Sequence, residues 1–561
     1  MAFEAFFLPA GRGQRFCILH SAEPGIPVRG ALVYVHPFAE EMNKARRMAA
    51  LQARAMAAAG YAVLQIDLYG CGDSAGDFGD AAWPDWIDDV CLAAAWLRRR
   101  TGTAPWLWGL RAGCLVATAA AHRLDEVAGL LFWQPVSSGR QHLQQFLRLK
   151  IAGEMLSGQG QGMMDRLKAD LEQDRPVEIA GYTLSPGLAR GLGGAGLALP
   201  GRTLRIEWLE IAGAPEGGLS PAATGRTGKM AGAGTRRSRL RRVRTVVLAD
   251  HGNRGMSRFA DGDVGRAGRR RDGMNFVEVP LTFHVAGECL LGIAALPETP
   301  RDCGVLIAVG GPQYRAGSHR QFLLLSRRLA AAGYPVLRFD YRGMGDSEGA
   351  MRSFEEVGED IAGAIDAFMR QCPQMSRCVL WGLCDAASAI LMHLDTTDDA
   401  RIAGVALLNP WVRSEAGLAQ TRIKHYYGQR LLQREFWSRL LTGKMNVAAS
   451  LRDFLASAVK TRGTADSPIR APSFRERMVN GLGIFRGAVL LILSGRDYTA
   501  KEFIEYTRVN AAWSGLLAAG NVSRVDLPDA DHTFSTAAWR DEVENATLQW
   551  LARIPNDHRA G

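Results

Sequence analysis

Three side chains far apart in the sequence have the types and the order needed for acyl-transfer chemistry: Cys384, Asp497 and His532. Cys384 stands in Trp381-Gly382-Leu383-Cys384-Asp385-Ala386, after the apolar pair Val379-Leu380 and before the small residues Ala387-Ser388-Ala389. This pattern reads as a strand, a tight turn and the opening of a helix. It is a nucleophile elbow of the Gly-x-Ser-x-Gly type, with cysteine in the serine's place and Ala386 in the last glycine's. Asp497 follows the run Leu490-Leu491-Ile492-Leu493-Ser494, and His532 follows Val525-Asp526-Leu527-Pro528. The order along the chain is therefore nucleophile, acid, histidine. In such a set the aspartate accepts a hydrogen bond from one ring nitrogen and fixes the tautomer, while the other nitrogen takes the proton of the nucleophile. A thiol beside an imidazole and at a helix amino terminus deprotonates readily, which favours attack on thioesters and reactive esters.

The tetrahedral oxyanion formed by such an attack needs backbone donors. The N–H of Asp385, next after the nucleophile, is one candidate. The other lies in Gly310-Gly311-Pro312-Gln313-Tyr314, after an earlier strand; Pro312 has no N–H, so Gln313 is expected to be the second donor. No metal or organic cofactor is expected. The nine cysteines are scattered, odd in number and without a Cys-x-x-Cys pair, which argues against a disulfide framework and against a structural zinc site.

The elements that must position these residues form an ordered series from Met274 onward. Strands are expected at 277–284, 290–296, 303–309, 335–340, 377–381, 404–409, 488–494 and 523–527, with a final amphipathic helix over 539–551. Eight strands, the first two hairpin-like and the rest separated by helices, fit an α/β-hydrolase sheet with the cysteine turn after the fifth strand. An insertion of about 412–485 falls where a helical lid sits in that fold. Its segments Ile423-Lys424-His425-Tyr426-Tyr427 and Phe436-Trp437-Ser438-Arg439 mix aromatic and basic residues, which would suit an acyl chain with an anionic head or peripheral contact with a membrane surface.

The front of the chain repeats this series. Ala58-Ala59-Gly60-Tyr61 matches Ala331-Ala332-Gly333-Tyr334, Gly72-Asp73-Ser74 matches Gly345-Asp346-Ser347, and Trp108-Gly109-Leu110 matches Trp381-Gly382-Leu383. All keep one offset, since 333 − 60 and 381 − 108 both give 273. The first block is organised from about Arg15, with strands at 31–36, 61–67, 105–109, 129–133 and 204–211 and helices over 44–60 and 84–100. Its elbow, Gly109-Leu110-Arg111-Ala112-Gly113, carries Arg111 where a nucleophile would stand, so this copy is expected to lack catalysis and to bind or pack, with Arg111 meeting an anionic group. His251 is read as incidental.

Between the copies the composition changes. From Arg226 to Asp272 there are thirteen arginines and Lys229 against four aspartates, which accounts for the whole net charge of +10. Neither flanking block has the basic balance of a nucleic-acid binder, and no nucleic-acid partner is expected. The segment 214–273, rich in Gly, Ala and Arg, reads as a disordered linker. Its composition would also suit a shifted reading frame, with Met274 the initiator of a formerly separate protein. The longest apolar runs are strand-length, too short to span a bilayer. The start of the chain lacks a basic leader before its short apolar run, and a cytoplasmic location is expected.

The expected class is thus α/β: two tandem α/β-hydrolase domains, the first (1–213) truncated or degenerate, the second (274–561) complete, joined by the basic linker. The chain resembles a fusion of two exosortase A system-associated hydrolases. The type-two resemblance rests on Val35-His36-Pro37-Phe38-Ala39-Glu40-Glu41-Met42-Asn43-Lys44 and the Arg111 elbow; the type-one resemblance rests on Gly310-Gly311-Pro312-Gln313-Tyr314-Arg315, the Cys384 elbow and Asp531-His532. It implies a bacterial locus for exopolysaccharide production and for sorting proteins with a carboxy-terminal signal. The functional expectation is an acyl hydrolase acting on a small ester or thioester. Transfer to an acceptor other than water, or a non-catalytic binding role in the polysaccharide machinery, stands as the alternative.

Overall fold

A computed structural model describes residues 3–155, 162–211, 275–311, 313–413 and 472–555, apart from 23, 24 and 26. The 214–273 segment, His251 and the aromatic-basic segments of the insertion at 423–432 and 436–441 lie outside the described residues.

Residues 3–211 build a sheet from β1 (Phe3–Pro9), β2 (Gln14–His20), β3 (Gly30–Val35), β4 (Tyr61–Ile66), β5 (Pro105–Leu110), β6 (Gly129–Trp133) and, after a small separate hairpin of β7 (Val177–Ile179) and β8 (Tyr182–Leu184), β9 (Ile206–Leu209). Its order is β1-β2-β4-β3-β5-β6-β9. Residues 275–555 build a second sheet from β10 (Phe276–Val285), β11 (Glu288–Pro297), β12 (Cys303–Ala308), β13 (Val336–Phe339), β14 (Arg377–Leu383), β15 (Ile402–Leu408), β16 (Ala488–Ser494) and β17 (Val522–Leu527), in the order β10-β11-β13-β12-β14-β15-β16-β17. In each, the opening hairpin and its junction to the next strand are antiparallel and the remaining pairs are parallel.

The parallel strands read as unbroken apolar runs because both faces are covered. In the second sheet Leu306, Leu380, Leu407 and Leu491 enter the core on one face. Their neighbours Ile307, Trp381, Ala406 and Ile492 enter the core on the other. The helix Gly358–Gln371 buries Ile361, Ala364, Ile365 and Phe368, the spacing of one helical face.

The expected strands all appear, with differences at the ends. The first sheet begins at Phe3, ahead of the expected start near Arg15, because Phe3–Pro9 pairs with Gln14–His20 in a hairpin. The strand expected at 204–211 is confined to Ile206–Leu209. The helices expected over 44–60 and 84–100 run from Glu40 to Ala58 and from Trp83 to Thr101. At the end of the insertion a helix over Phe474–Ile484 packs on the helix Asp385–Thr396 that follows the elbow.

The two sheets meet. Phe3, Phe16 and Ile18 of the first share one buried cluster with Leu291 and Ile293 of the second. Around that cluster lie buried ion pairs that cross between the halves, including Arg46 with Asp346 and Arg338 with Asp73.

Candidate active site

Cys384 sits between β14 and the helix Asp385–Thr396 with φ 64° and ψ −125°, a left-handed conformation that a side chain resists. The turn is fixed from several sides. The Cys384 N–H donates to Leu408 O at 2.8 Å, and its carbonyl accepts from Ala387 at 3.1 Å and from Trp411 at 3.3 Å. Small neighbours make the bend possible: a Cβ on Gly382 would lie 2.9 Å from the Ala386 carbonyl carbon, and one on Gly310 would lie 2.2 Å from Leu383 O. The thiol is half-buried.

Asp497 ends the loop after β16 and opens the helix Tyr498–Val509. Its Oδ1 accepts from the Thr499 N–H and its Oδ2 from the Ala500 N–H, each at 3.0 Å. The Oδ2 also meets His532 Nδ1 at 2.8 Å. His532 follows β17, and its ring is close enough to Cys384 for the sulfur to act on it electrostatically. The three residues singled out in the sequence thus come together in one place. Burial alone would lower the pKa of His532, but the Asp497 carboxylate and the Cys384 sulfur outweigh it and hold the pKa up to about 10. For Asp497, burial alone would raise the pKa; the bond to His532 and the two helix N–H groups prevail and hold it below its ordinary value.

Three further side chains hold the loops in register. Asn409, fully buried with φ 44°, donates from Nδ2 to Ser494 Oγ at 2.8 Å and to His532 O at 3.2 Å, and accepts from the Ser494 N–H at 2.9 Å. Ser494 Oγ in turn donates to Asp531 O at 2.9 Å. Asp531 Oδ1 accepts from the N–H groups of Thr533 and Ser535 at 3.1 and 3.0 Å, bending the loop that presents His532. Sequence reading passes over Asn409. Its only trace is a polar residue closing an apolar strand in Leu407-Leu408-Asn409-Pro410.

The loop after β12 faces the elbow. The Gly311 N–H donates to Asp385 Oδ1 at 2.6 Å, so the Asp385 carboxylate lies against the loop. Burial raises the pKa of Asp385, and the bond from Gly311 opposes that shift. The Gln313 N–H is turned back onto Gly311 O at 2.8 Å, and its side-chain Oε1 accepts from Ser318 N at 2.8 Å. Donation from Gln313 to a substrate therefore requires the short Gly311–Gln313 turn to open.

In the first half Arg111 adopts the same left-handed bend, φ 53°. Its Nε and Nη2 donate to Glu41 Oε1 at 3.2 and 3.1 Å, so the anionic group it meets is supplied by the chain itself. His36 is buried, with Nδ1 2.8 Å from Pro37 O and Nε2 accepting from the Leu68 N–H at 3.2 Å. Burial pushes its pKa down to about 4, and the ring is a neutral structural group. Among the described residues no group of three or more His, Cys, Asp or Glu is placed to hold a metal ion, and no helix is long and apolar enough to cross a membrane.

No curated protein matches the chain. Solved structures similar to it include an esterase from Pyrococcus furiosus (16% identity, 50% of this chain and 92% of that one, TM-score 0.35). A putative hydrolase from Agrobacterium vitis S4 is 16% identical over 49% of this chain and 98% of its own, with TM-score 0.32. An acylaminoacyl peptidase from Pyrococcus horikoshii is 16% identical over 52% of this chain and 43% of its own, with TM-score 0.35. The profile of the α/β-hydrolase family described as serine aminopeptidase, S33, matches residues 26–183 and 306–480, which take in both elbows and more than half of the chain, and the chain belongs to that family.

Proposed function

We propose that the second half is an acyl hydrolase of the esterase or thioesterase type in which Cys384 is the nucleophile, His532 the general base and Asp497 the group that orients it. The observation that carries this reading is the 2.8 Å bond from His532 Nδ1 to Asp497 Oδ2, with the ring also under the electrostatic influence of a thiol on a left-handed turn at a helix amino terminus. The ring accepts the thiol proton and is held as an imidazolium by Asp497, and the thiolate adds to the acyl carbon. The amide N–H of Asp385 donates to the oxygen that becomes negative, with Gln313 as second donor once its turn opens. The imidazolium then gives its proton to the leaving alcohol or thiol, and a water activated by the same ring releases the acid.

A cysteine in this position favours thioesters and reactive esters over amides, so the peptidase activity in the family's description is not carried over to this chain. Transfer to another acceptor would use the same residues. The motifs shared with exosortase-associated hydrolases support a role beside exopolysaccharide production, with an acyl group borne on a small molecule as substrate. The first half, with Arg111 paired to Glu41, is the non-catalytic partner. The test is thiol labelling of the full chain with chloroacetamide, read by peptide mass. Cys384 is expected to label at least tenfold faster than the other eight cysteines, and His532→Ala is expected to remove that advantage. Equal labelling rates would overturn the reading.

A further inference from the structure

Among the contacts between the halves, two sets of polar contacts stand out. One set is reciprocal. Arg47 donates to the carbonyls of Ser347 and Gly349 at 2.6 and 2.7 Å, and Arg54 donates to Asp346 O. In return Arg320 donates to the carbonyls of Gly70, Gly72, Ser74 and Gly76 at 2.7–2.9 Å, and Arg327 to Ser74 O at 3.0 Å. Arg47 and Arg320, like Arg54 and Arg327, are 273 residues apart, so each copy grips the Gly-Asp-Ser turn of the other with the same two positions.

The second set has no counterpart, and all of it bears on the loop that faces Cys384. Tyr314 and Ala316 are buried in the core of the first half. The Arg46 guanidinium lies 5.2 Å from the Tyr314 ring centre, and its Nε donates to Asp346 at 2.8–2.9 Å. Arg315, fully buried, lies over the Phe16 ring at 4.9 Å and meets Asp73 at 2.8 Å, Asp340 at 2.6 Å and Asp346 at 2.8 Å. The Asn43 side-chain amide donates to Gly317 O at 3.2 Å. At the 273-residue offset Arg46 corresponds to His319 and Arg315 to Met42, so neither cation is mirrored.

We propose that the first half is a positioning subunit: through Arg46, Asn43, Asp73 and Phe16 it fixes the loop 310–317 whose backbone faces the elbow. The second half holds that loop through the Gly311 bond to Asp385, those of Arg315 to Asp340 and Asp346, the Arg338 bond to Arg315 O at 3.3 Å, the Ser318 N–H bond to Gln313 Oε1, and the Phe322 and Leu323 N–H bonds to Ala316 O at 3.1 and 3.3 Å. The stretch from Tyr314 to Gly317 is seated in the other domain. The loss of a nucleophile at Arg111 is then of no consequence to the first half's task, which is to hold a backbone that donates in the transition state. This inference rests on the catalytic reading of Cys384.

The test uses the full chain with Arg46→Met, Arg46→Lys and Asn43→Ala. Arg46→Met strands two buried carboxylates and can unfold the chain; Asn43→Ala removes only the bond to Gly317 O and keeps the proposal falsifiable. Hydrogen–deuterium exchange of the Arg315 and Gly317 amides, held by Asp340 Oδ1 at 2.7 Å and Tyr314 O at 2.8 Å, reads the clamp directly. Exchange at these amides is expected to rise about tenfold in Asn43→Ala, with peptides around Cys384 and His532 unchanged. The kcat for a p-nitrophenyl ester is expected to fall about tenfold, as slight misplacement of a transition-state donor does, with KM and the chloroacetamide rate at Cys384 within twofold of wild type. Arg46→Lys, which keeps the charge, should recover part of the loss that Arg46→Met suffers. Unchanged exchange, unchanged kcat, or kcat and thiol labelling falling together would each overturn the proposal. If the wild type turns over no ester, the catalytic reading fails separately, and the exchange data still decide whether the first half holds the loop.

Discussion

Asp497→Asn isolates the orienting group with little change of shape. The native carboxylate accepts three hydrogen bonds, from Thr499 and Ala500 N–H at 3.0 Å and from His532 Nδ1 at 2.8 Å. An asparagine has one oxygen for the two helix N–H groups and the ring. It is a good helix cap, so its oxygen turns to the helix and its NH2 to the imidazole. A donor facing Nδ1 selects the wrong tautomer, with the proton on Nε2, where the thiol should deliver its own. By analogy with the same substitution in serine triads, kcat should fall about 10³- to 10⁴-fold, equivalent to about 4–5.5 kcal/mol of barrier. The stability loss should be far smaller, about 1 kcal/mol, because a third of the His532 side chain is exposed and the pair is screened. p-Nitrophenyl ester hydrolysis gives the first quantity and urea unfolding the second. A variant that keeps more than a tenth of wild-type kcat, with unfolding unchanged, would refute the reasoning.

The pH dependence of that stability difference carries a definite sign. The folded pKa of His532 is raised to about 10, so its share is fully present below its unfolded value near ~6.5 and is lost as pH rises through about 10. The folded pKa of Asp497 is lowered, so its share is present above ~3.9 and is lost as pH falls. Urea midpoints of wild type and Asp497→Asn should differ most between about pH 4 and 6.5 and converge near pH 10. Asn409→Ala removes the tie between Ser494 and the His532 loop and leaves the buried Ser494 N–H without a partner, for about 1–3 kcal/mol in urea unfolding and a tenfold or larger fall in kcat. Arg111→Ala loses a pair with Glu41 whose side chains are each about a third exposed, both in the first half and away from Cys384, and both ester turnover and stability should stay close to wild type, within twofold and about 0.5 kcal/mol.

Strand positions in the second half were legible because parallel strands buried on both faces leave unbroken apolar runs such as Ala488–Ser494. The places of Asp497 and His532 followed from that order, since each is on the loop after a recognisable strand. Phe3–Pro9 was not legible because a hairpin strand at the sheet edge buries only Phe3 and Leu8 and leaves no clear alternation. Asn409 was missed for a different reason. Its partners Ser494 and His532 are distant in sequence, and nothing local to Leu408-Asn409-Pro410 announces them. The same holds for Arg46, Arg315 and Arg338. Charged residues are exposed by default, and carboxylates gathered from both halves permit their burial. Gln313 shows what residue type alone leaves undetermined, because the direction of its N–H depends on the local turn to Gly311.

The central claim is that an acyl group passes through the sulfur of Cys384. Rapid acid quench of the full chain during turnover of a p-nitrophenyl ester or an acyl thioester, followed by peptide mass analysis, tests it directly. The expected result is a peptide containing Cys384 heavier by the acyl group, released by neutral hydroxylamine, absent from Cys384→Ala and accompanied by loss of turnover in that variant. Turnover that persists in Cys384→Ala, or an acyl group carried on another residue, would contradict it.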